Sequence, residues 1–430
     1  MTRSAAAASA FAAPYFVPAN VLAGPGRVGA NDRVGLAVVG VGLRGGQLIR
    51  NVPESGRVVA LCDADLRKTA AVLKRHAADW PVEQDYRRLL ERTDLDGVII
   101  ATPDHHHVQA AMLACGAGLD VYLEKPASLY ICEGRALVSA ARRCQRIVQV
   151  GTQQRSMELN RFACEFVRGG GIGPVRVVQC VNYPSPRRYR AGELPAAAIP
   201  AGLDWDLWQG PAPRRSYHPW LASLRSAQSK TGWVDWWAYS GGGVTGLGSH
   251  AFDMVQYALG ADDSGPVEFW PAEDDDAFGA STPVHFRYAS GTEVRMHFAN
   301  ERPFRGPRLG AVFVGARGKI EINRNKFTTN PPDLVTDPPD PSLARKWEGD
   351  GWVALGHVQN WIDCIKTRQR PVADVEIGHR SVTIAHLVNV TRQLGRRVRW
   401  DPVGEVCPGD DEANRLLDRP RHPGWELPKV

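Results

Sequence analysis

Short, almost wholly apolar runs alternate with helix-spaced stretches over residues 31–150. The runs at 34–39, 57–62, 97–101, 120–123 and 147–150 predict strands covered on both faces. The segments 45–51, 66–77, 86–92, 108–115 and 132–144 repeat apolar positions at helical spacing and predict helices between those strands. Strand–helix alternation of this length predicts an α/β unit built on a parallel, doubly wound sheet. After Gly151 the pattern changes. A helix is expected over 159–168, then an extended run at 175–183 and a long Pro/Arg/Trp-rich stretch over 184–239. Strand-like runs follow at 284–288, 293–298, 311–315 and 319–322, so the second part reads as α+β with a large, open, mostly antiparallel sheet. Residues 330–341 read as a proline-rich surface loop. Helices predicted over 357–366 and 379–394 are expected to pack back on the first unit. The expected domains are an arm (1–30), a dinucleotide-binding domain (31–150), a substrate-binding and oligomerisation α/β domain (151–400), and an extension over 401–430 that packs on the body.

Composition narrows the class. A chain of 430 residues, 43% hydrophobic and 23% charged, is long enough for two cored domains. The formal charge of +6 is carried by scattered residues, with no basic block interleaved with stacking aromatics, which argues against a nucleic-acid partner. No segment reaches the ~18–20 apolar residues of a membrane span. The eight cysteines form no C-x-x-C pair, and Cys62, Cys115, Cys144, Cys164 and Cys364 sit in apolar patterns, so they read as buried thiols. His105, His106 and His107 are adjacent on a loop-to-helix turn, point different ways, and have no second ligand cluster; no metal is expected. Residues 1–30 are small, apolar and acid-free, with only Arg3 near the start. They read as a secretory leader with a processing site near 21–23, hence a periplasmic or exported protein, or else as an arm on a cytoplasmic one.

Two motifs carry the chemistry. GVGLRG (Gly40, Val41, Gly42, Leu43, Arg44, Gly45) follows the first apolar run and opens a helix, the context in which three glycines turn the chain and admit a pyrophosphate. Asp63 ends the second strand, where a carboxylate can accept the adenosine ribose hydroxyls and repel a 2′-phosphate, which favours NAD over NADP. Thr102 and Pro103 close the third core strand at the cofactor edge. His107 either contacts cofactor or caps the next helix. The second motif, LEKP, places Glu124 and Lys125 just past another strand. There a lysine can orient a carbinol hydroxyl and stabilise developing alkoxide charge. SGGGVTGLGSHAFDMVQYALG, at 240–260, offers His250 as a general base near neutrality, with Asp253 on the same helix face as partner or cap. Gln153, Arg155, Tyr183, Lys230 and Trp237 are substrate candidates with His250 and Asp253. The RRYR run at 187–190 could receive an acidic sugar or be a solvated loop. The tryptophans at 205, 208, 220, 233, 236 and 237 could form either sugar-facing walls or a core.

The segments VGVGLRG, CDAD, ATPDHHHVQAAMLACGAGLDVYLEKP, VQVGTQQRS, GLDWDLWQGPAP, SGGGVTGLGSH and EIGHRSVTIAHLVNVTRQLGRRVRWDP together resemble the Gfo/Idh/MocA oxidoreductase family, from Arg33 to the end of the chain. AAPYFVPANVLA resembles the leader of exported members. The resemblance implies a Rossmann domain, tightly held NAD(P), a second domain whose open sheet makes homodimers or homotetramers, and an active site holding Lys125 and His250. It implies oxidation of a sugar or polyol hydroxyl, or alternatively NAD-dependent glycoside cleavage through transient C3 oxidation, elimination, hydration and reduction. One departure stands out. Many members carry an aspartate four residues before the histidine, and here that position is Gly246; Asp235, Tyr239 and Thr245 are candidate replacements.

Overall fold

The computed structural model describes residues 29, 32–188, 194–223, 232–272, 279–298, 308–348 and 354–430. Of the arm over 1–30 only residue 29 is among them, and Lys230 and residues 189–190 of the RRYR run lie outside them.

The first sheet contains β1 (Val34–Val39), β2 (Gly56–Cys62), β3 (Val82–Glu83), β4 (Gly97–Ile100), β5 (Asp120–Leu123) and β6 (Val148–Val150). The strands are parallel, in the order β3-β2-β1-β4-β5-β6. Its helices are α1 (Leu43–Arg50), α2 (Leu66–His76), α3 (Tyr86–Leu89), α4 (His107–Gly116) and α5 (Ile131–Arg143). The period-2 pattern of β1 explains the two-sided covering. Leu36 and Val38 enter one core with Trp361 and Ile362, whereas Ala37 and Val39 enter the other with Val108, Met112 and Leu137. Strand order reverses between β1 and β4, so a crevice opens at their carboxyl ends.

The second part holds α6 (Glu158–Arg168), β7 (Val175–Val181), α7 (Trp205–Gln209), α8 (Gly243–Gly246) and α9 (Gly248–Leu259). It continues with β8 (Pro266–Pro271), β9 (Val284–Tyr288), β10 (Glu293–His297), β11 (Ala311–Gly315), β12 (Lys319–Asn323) and β13 (Lys326–Asn330). The chain ends through α10 (Leu355–Thr367), α11 (Val375–Leu394), β14 (Val398–Arg399) and α12 (Asp411–Asn414). The eight-stranded sheet runs β13-β12-β11-β7-β10-β9-β8-β14. All its pairs are antiparallel except β10 with β7. The fold is thus α/β with a mostly antiparallel second sheet, as the pattern predicts. Strands β3, β8, β13 and β14 are additions to that reading.

Helix α10 covers the first sheet through Val358, Trp361 and Ile362. Helix α11 is buried along nearly its whole length and bonds to both parts: His386 Nε2 lies 3.2 Å from the Ser128 carbonyl, and Asn389 donates to the Gly241 carbonyl (3.0 Å). The C-terminal segment returns to the first domain, where Arg419 pairs with Glu133 (2.8 Å) and the Trp425 ring meets Tyr86 and His106.

Candidate active site

Everything at the mouth of the crevice starts from the glycine turn after β1. Gly40 has φ +83°, and a Cβ there would lie 2.6 Å from the Thr102 amide nitrogen, so only glycine fits the turn. A Cβ on Gly45 would sit 1.9 Å from the Gly40 carbonyl, which lets α1 pack against the turn. Gly42 differs: among the described residues nothing lies within 4 Å of a Cβ there, and as the N-cap of α1 it offers no side chain to the helix amides. That open, positively polarised helix end suits a pyrophosphate. Asp63 closes β2, accepting from the Val41 amide (2.9 Å) and the Asp65 amide (2.9 Å), with the Lys68 ammonium 3.8 Å away. Burial nonetheless pushes the Asp63 carboxyl up from its ordinary value. Val41 and Gly45 sit behind the crevice; the other glycine-turn residues line it.

A cavity of about 750 Å³ runs from Asp63 and Gly42 to Lys125 and His250. Thr102, Pro103, His107, Glu124 and Gln153 line it. The Thr102 hydroxyl and Gln153 Oε1 are buried there without a hydrogen-bond partner among the described residues. Open helix amides, a ribose-side carboxylate and orphaned polar atoms in a cleft of this volume fit a nicotinamide dinucleotide. His107 bridges two loops: Nδ1 lies 2.7 Å from the Pro126 carbonyl and Nε2 3.0 Å from that of Thr102.

Glu124 is buried and takes the Arg44 guanidinium at 2.6 Å. Burial alone would raise its pKa, but the adjacent Arg44 and Lys125 charges hold it below the ordinary carboxylate value. Lys125 Nζ donates to the Gly246 carbonyl (2.8 Å), so the backbone of α8 meets the lysine at the position where the family resemblance expects an aspartate. Burial lowers the Lys125 pKa, opposed by Glu124 and Asp104. Asp104 accepts from the Ser240 hydroxyl (2.8 Å) and its pKa is raised by burial. His250 reaches the cavity from the second domain. Arg324, in the turn between β12 and β13, places Nη2 3.2 Å from His250 Nε2. Burial, then the charges of Arg324, Lys125 and Arg44, hold the His250 pKa well below its ordinary value.

The candidates for Gly246's missing carboxylate bond elsewhere. Asp235 accepts from the Gly232 amide (2.9 Å) and the Thr245 hydroxyl donates to the Gly242 carbonyl (3.2 Å). Tyr239 is fully buried in the Trp-rich cluster.

Four predicted substrate residues lie away from the cavity. Arg155 is buried and pairs with Asp253 (2.9 Å) and Asp262 (2.7 Å), while Asp253 also accepts from Ser381 (2.8 Å). Arg155 is thereby pinned to Asp253 of α9, because a buried charge requires this degree of pairing. Tyr183 packs on Phe252 and its hydroxyl donates to the Arg308 carbonyl (2.5 Å), so it belongs to the second core. Trp237 is half-buried, beside the Arg187–Trp236 bridge and outside the cavity lining. In the RRYR run, Arg187 lies over the Trp236 ring at 4.3 Å, and Arg188 donates to Gln393 Oε1 (3.0 Å). Trp205 and Trp208 stack at 4.6 Å in a small core that also buries Trp236. Trp208 and Trp233 also touch the cavity, so the cluster both packs the segment and faces the cleft. His105 and His106 both place Nε2 near the Trp208 carbonyl, at 3.0 and 2.9 Å. Arg324, Asp104 and Trp425 are the site residues the sequence reading missed. Asp104 stood inside the ATPDHHH run; the other two arrive through tertiary contacts alone.

A family profile described as an oxidoreductase NAD-binding Rossmann fold (GFO_IDH_MocA) matches residues 34–152, and the profile of the same family's C-terminal alpha/beta domain matches 188–427. The 2,7-anhydro-N-acetylneuraminate hydratase of Mediterraneibacter gnavus is 31% identical over 144 residues, 33% of this chain and 37% of that protein. The inositol 2-dehydrogenase of Salmonella typhimurium is 26% identical over 170 residues, 39% of this chain and 49% of that protein. The chain therefore spans less than half the length of these two relatives. The solved WlbA dehydrogenase from Chromobacterium violaceum, in complex with NADH and UDP-GlcNAcA, superposes with a TM-score of 0.62 at 18% identity, covering 86% of this chain and 97% of that one. That likeness concerns the fold.

Proposed function

We propose that this chain, which belongs to the Gfo/Idh/MocA oxidoreductase family and carries its NAD-binding Rossmann domain at residues 34–152, oxidises a hydroxyl of a sugar, sugar derivative or polyol. The observation that carries the reading is the convergence of Lys125 and His250, from separate domains, on the one cavity that also contains Gly42 and Asp63. The nicotinamide, when bound, supplies the hydride acceptor. Gly40, Gly42 and the α1 amides would receive its phosphates and Asp63 its adenosine ribose, with Thr102, Pro103, His107 and Glu124 shaping the far end. Lys125 and His250 then flank the reacting hydroxyl, one to take its proton and one to hold its oxygen. Gln153, with an unmet acceptor in the same cavity, is the remaining substrate contact supported by the geometry. The test is to load the protein with NAD and offer myo-inositol, D-glucose and D-glucuronate. Reduced nicotinamide formed with one of them, and lost in Lys125→Ala, supports the reading; failure to hold NAD at all overturns it.

A second reading is favoured by one feature. A segment of the second domain is tied across the adenosine side: the Asp204 amide donates to the Ala64 carbonyl and the Leu66 amide to the Gly202 carbonyl, both at 2.9 Å. A strap beside Asp63 would retain a cofactor through a redox-neutral cycle of oxidation, elimination, hydration and reduction. Release of NADH in step with substrate loss selects the dehydrogenase; product formation with nicotinamide still bound and oxidised selects the second.

A further inference from the structure

The two proton-handling groups are not interchangeable, and the asymmetry comes from a residue outside the known motifs. Arg324 sits in the two-residue turn of the β12–β13 hairpin. That turn is clamped by Asn160 of α6, which donates to the Asn323 carbonyl (2.8 Å) and accepts from the Asn325 amide (2.6 Å). Asn325 adopts φ +56° and donates from its side chain to the Ala344 carbonyl (2.6 Å). With the turn fixed at three points, the guanidinium is delivered to His250 Nε2 at 3.2 Å. A guanidinium has donors and no acceptor, so Nε2 must accept, and the ring proton resides on Nδ1. Nδ1 is buried and has no partner among the described residues. His250 nevertheless lines the cavity. A buried N–H left unpaired is costly, so the tautomer is imposed by the Arg324 contact and not by a partner at Nδ1.

We propose that Arg324 holds His250 as the neutral imidazole protonated at Nδ1, its Nε2 lone pair engaged, so that His250 is not the acceptor of the hydroxyl proton. This rests on the oxidoreductase reading given above. Lys125 is then the base. Its amine takes the proton as the O–H bond breaks, while the carbon-bound hydrogen leaves as hydride to the acceptor named there and the O–H electron pair becomes the second C–O bond. The groups facing the ring agree with this division. Arg324 from the hairpin, Lys125 and Arg44 from the first domain and His357 from α10 all disfavour a second proton on His250. Arg324 acts through His250 and is a positioning residue.

The experiment uses NAD-loaded protein carrying histidine labelled with NMR-active nitrogen, with His250 assigned from the signal lost in His250→Gln. The expected spectrum has an unprotonated Nε2 and a protonated Nδ1 at neutral pH, and the ring stays uncharged well below the pH at which an ordinary histidine charges. In Arg324→Met the Nδ1–H signature is lost and the ring charges at higher pH. Arg324→Lys, which keeps a cationic donor, retains the wild-type signature. A protonated Nε2 or an imidazolium in the wild type at neutral pH would overturn the proposal even if Arg324→Met fails to fold, and so would an unchanged spectrum in a folded Arg324→Met. NAD retention and hydride transfer are scored separately, so failure of the oxidoreductase reading would show as loss of those with the tautomer intact.

Discussion

His250 and Asp253 lie three positions apart on α9, both buried, and the protein surrounds them in opposite ways. Asp253 is saturated: Arg155 grips both its oxygens and Ser381 adds a third donor. His250 meets Arg324 at one nitrogen and, among the described residues, has an unmet N–H at the other, beside a lysine that donates to a backbone carbonyl. Saturated polar groups brace a structure, because every lost partner leaves a desolvated charge. Unsaturated ones at a cavity wall await a ligand. The same helix therefore carries a strut on one face and reactive chemistry on another, and the contrast can be tested by substitution.

The largest effect is expected on the reactive face. Lys125→Ala should cut turnover by ~10²–10⁴-fold with NAD retention nearly unchanged, measured by steady-state rates and by the nucleotide content of the purified protein. On the bracing face, Arg155→Met strands Asp253 and should cost about 3–5 kcal/mol of stability, read from urea midpoints, while turnover per folded molecule stays the same. A raised KM with unchanged stability would return Arg155 to the substrate site.

Acid should act next, through buried neutral histidines. His357 is held to about 4 chiefly by burial, with Ser156 Oγ 2.6 Å from Nδ1 and the Val150 carbonyl 2.9 Å from Nε2. Its folded-state pKa is depressed, so the unfolded chain binds more protons. The contribution is complete above about pH 6.5 and is lost as pH falls towards 4, amounting to about 3 kcal/mol. Unfolding midpoints measured across that window should fall, and fall less steeply in His357→Gln.

The smallest effect sharpens the role of the missing carboxylate. Among the described residues nothing lies within 4 Å of a Cβ at Gly246, so Gly246→Asp has room there. A new carboxylate beside Lys125 should raise the lysine's pKa and slow turnover at neutral pH by about 10-fold, with recovery at higher pH. A gain in neutral-pH turnover would mean that His250 was the base all along.

Much of this was legible in the chain. Strand β1 and the glycine turn are local: six apolar residues followed by Gly40 and Gly42 specify a parallel strand and an open helix end without help from elsewhere. Lys125 and His250 were legible because short motifs carry them. Arg155 and Asp253 misled because polarity near a helix start looks alike whether it serves a ligand or an ion pair 98 positions away. Strand β8 escaped because prolines at 266 and 271 bracket it, and proline argues against strands. Arg324 carried no local sign at all, since its meaning comes from Asn160 holding a hairpin turn against a distant helix.

The central claim is that one cavity brings Lys125 and His250 to a carbinol beside a hydride acceptor. The most direct measurement offers the NAD-loaded protein myo-inositol and D-glucuronate deuterated at carbon, then weighs the dinucleotide recovered from it. Under net oxidation the predicted result is deuterium in the reduced dinucleotide with one of these. Under a redox-neutral cycle the label returns to the product and the dinucleotide is recovered oxidised and unlabelled; Lys125→Ala is predicted to cut both. Consumption of the deuterated compound with an unlabelled dinucleotide and no return of the label to the oxidised carbon of the product would contradict the account.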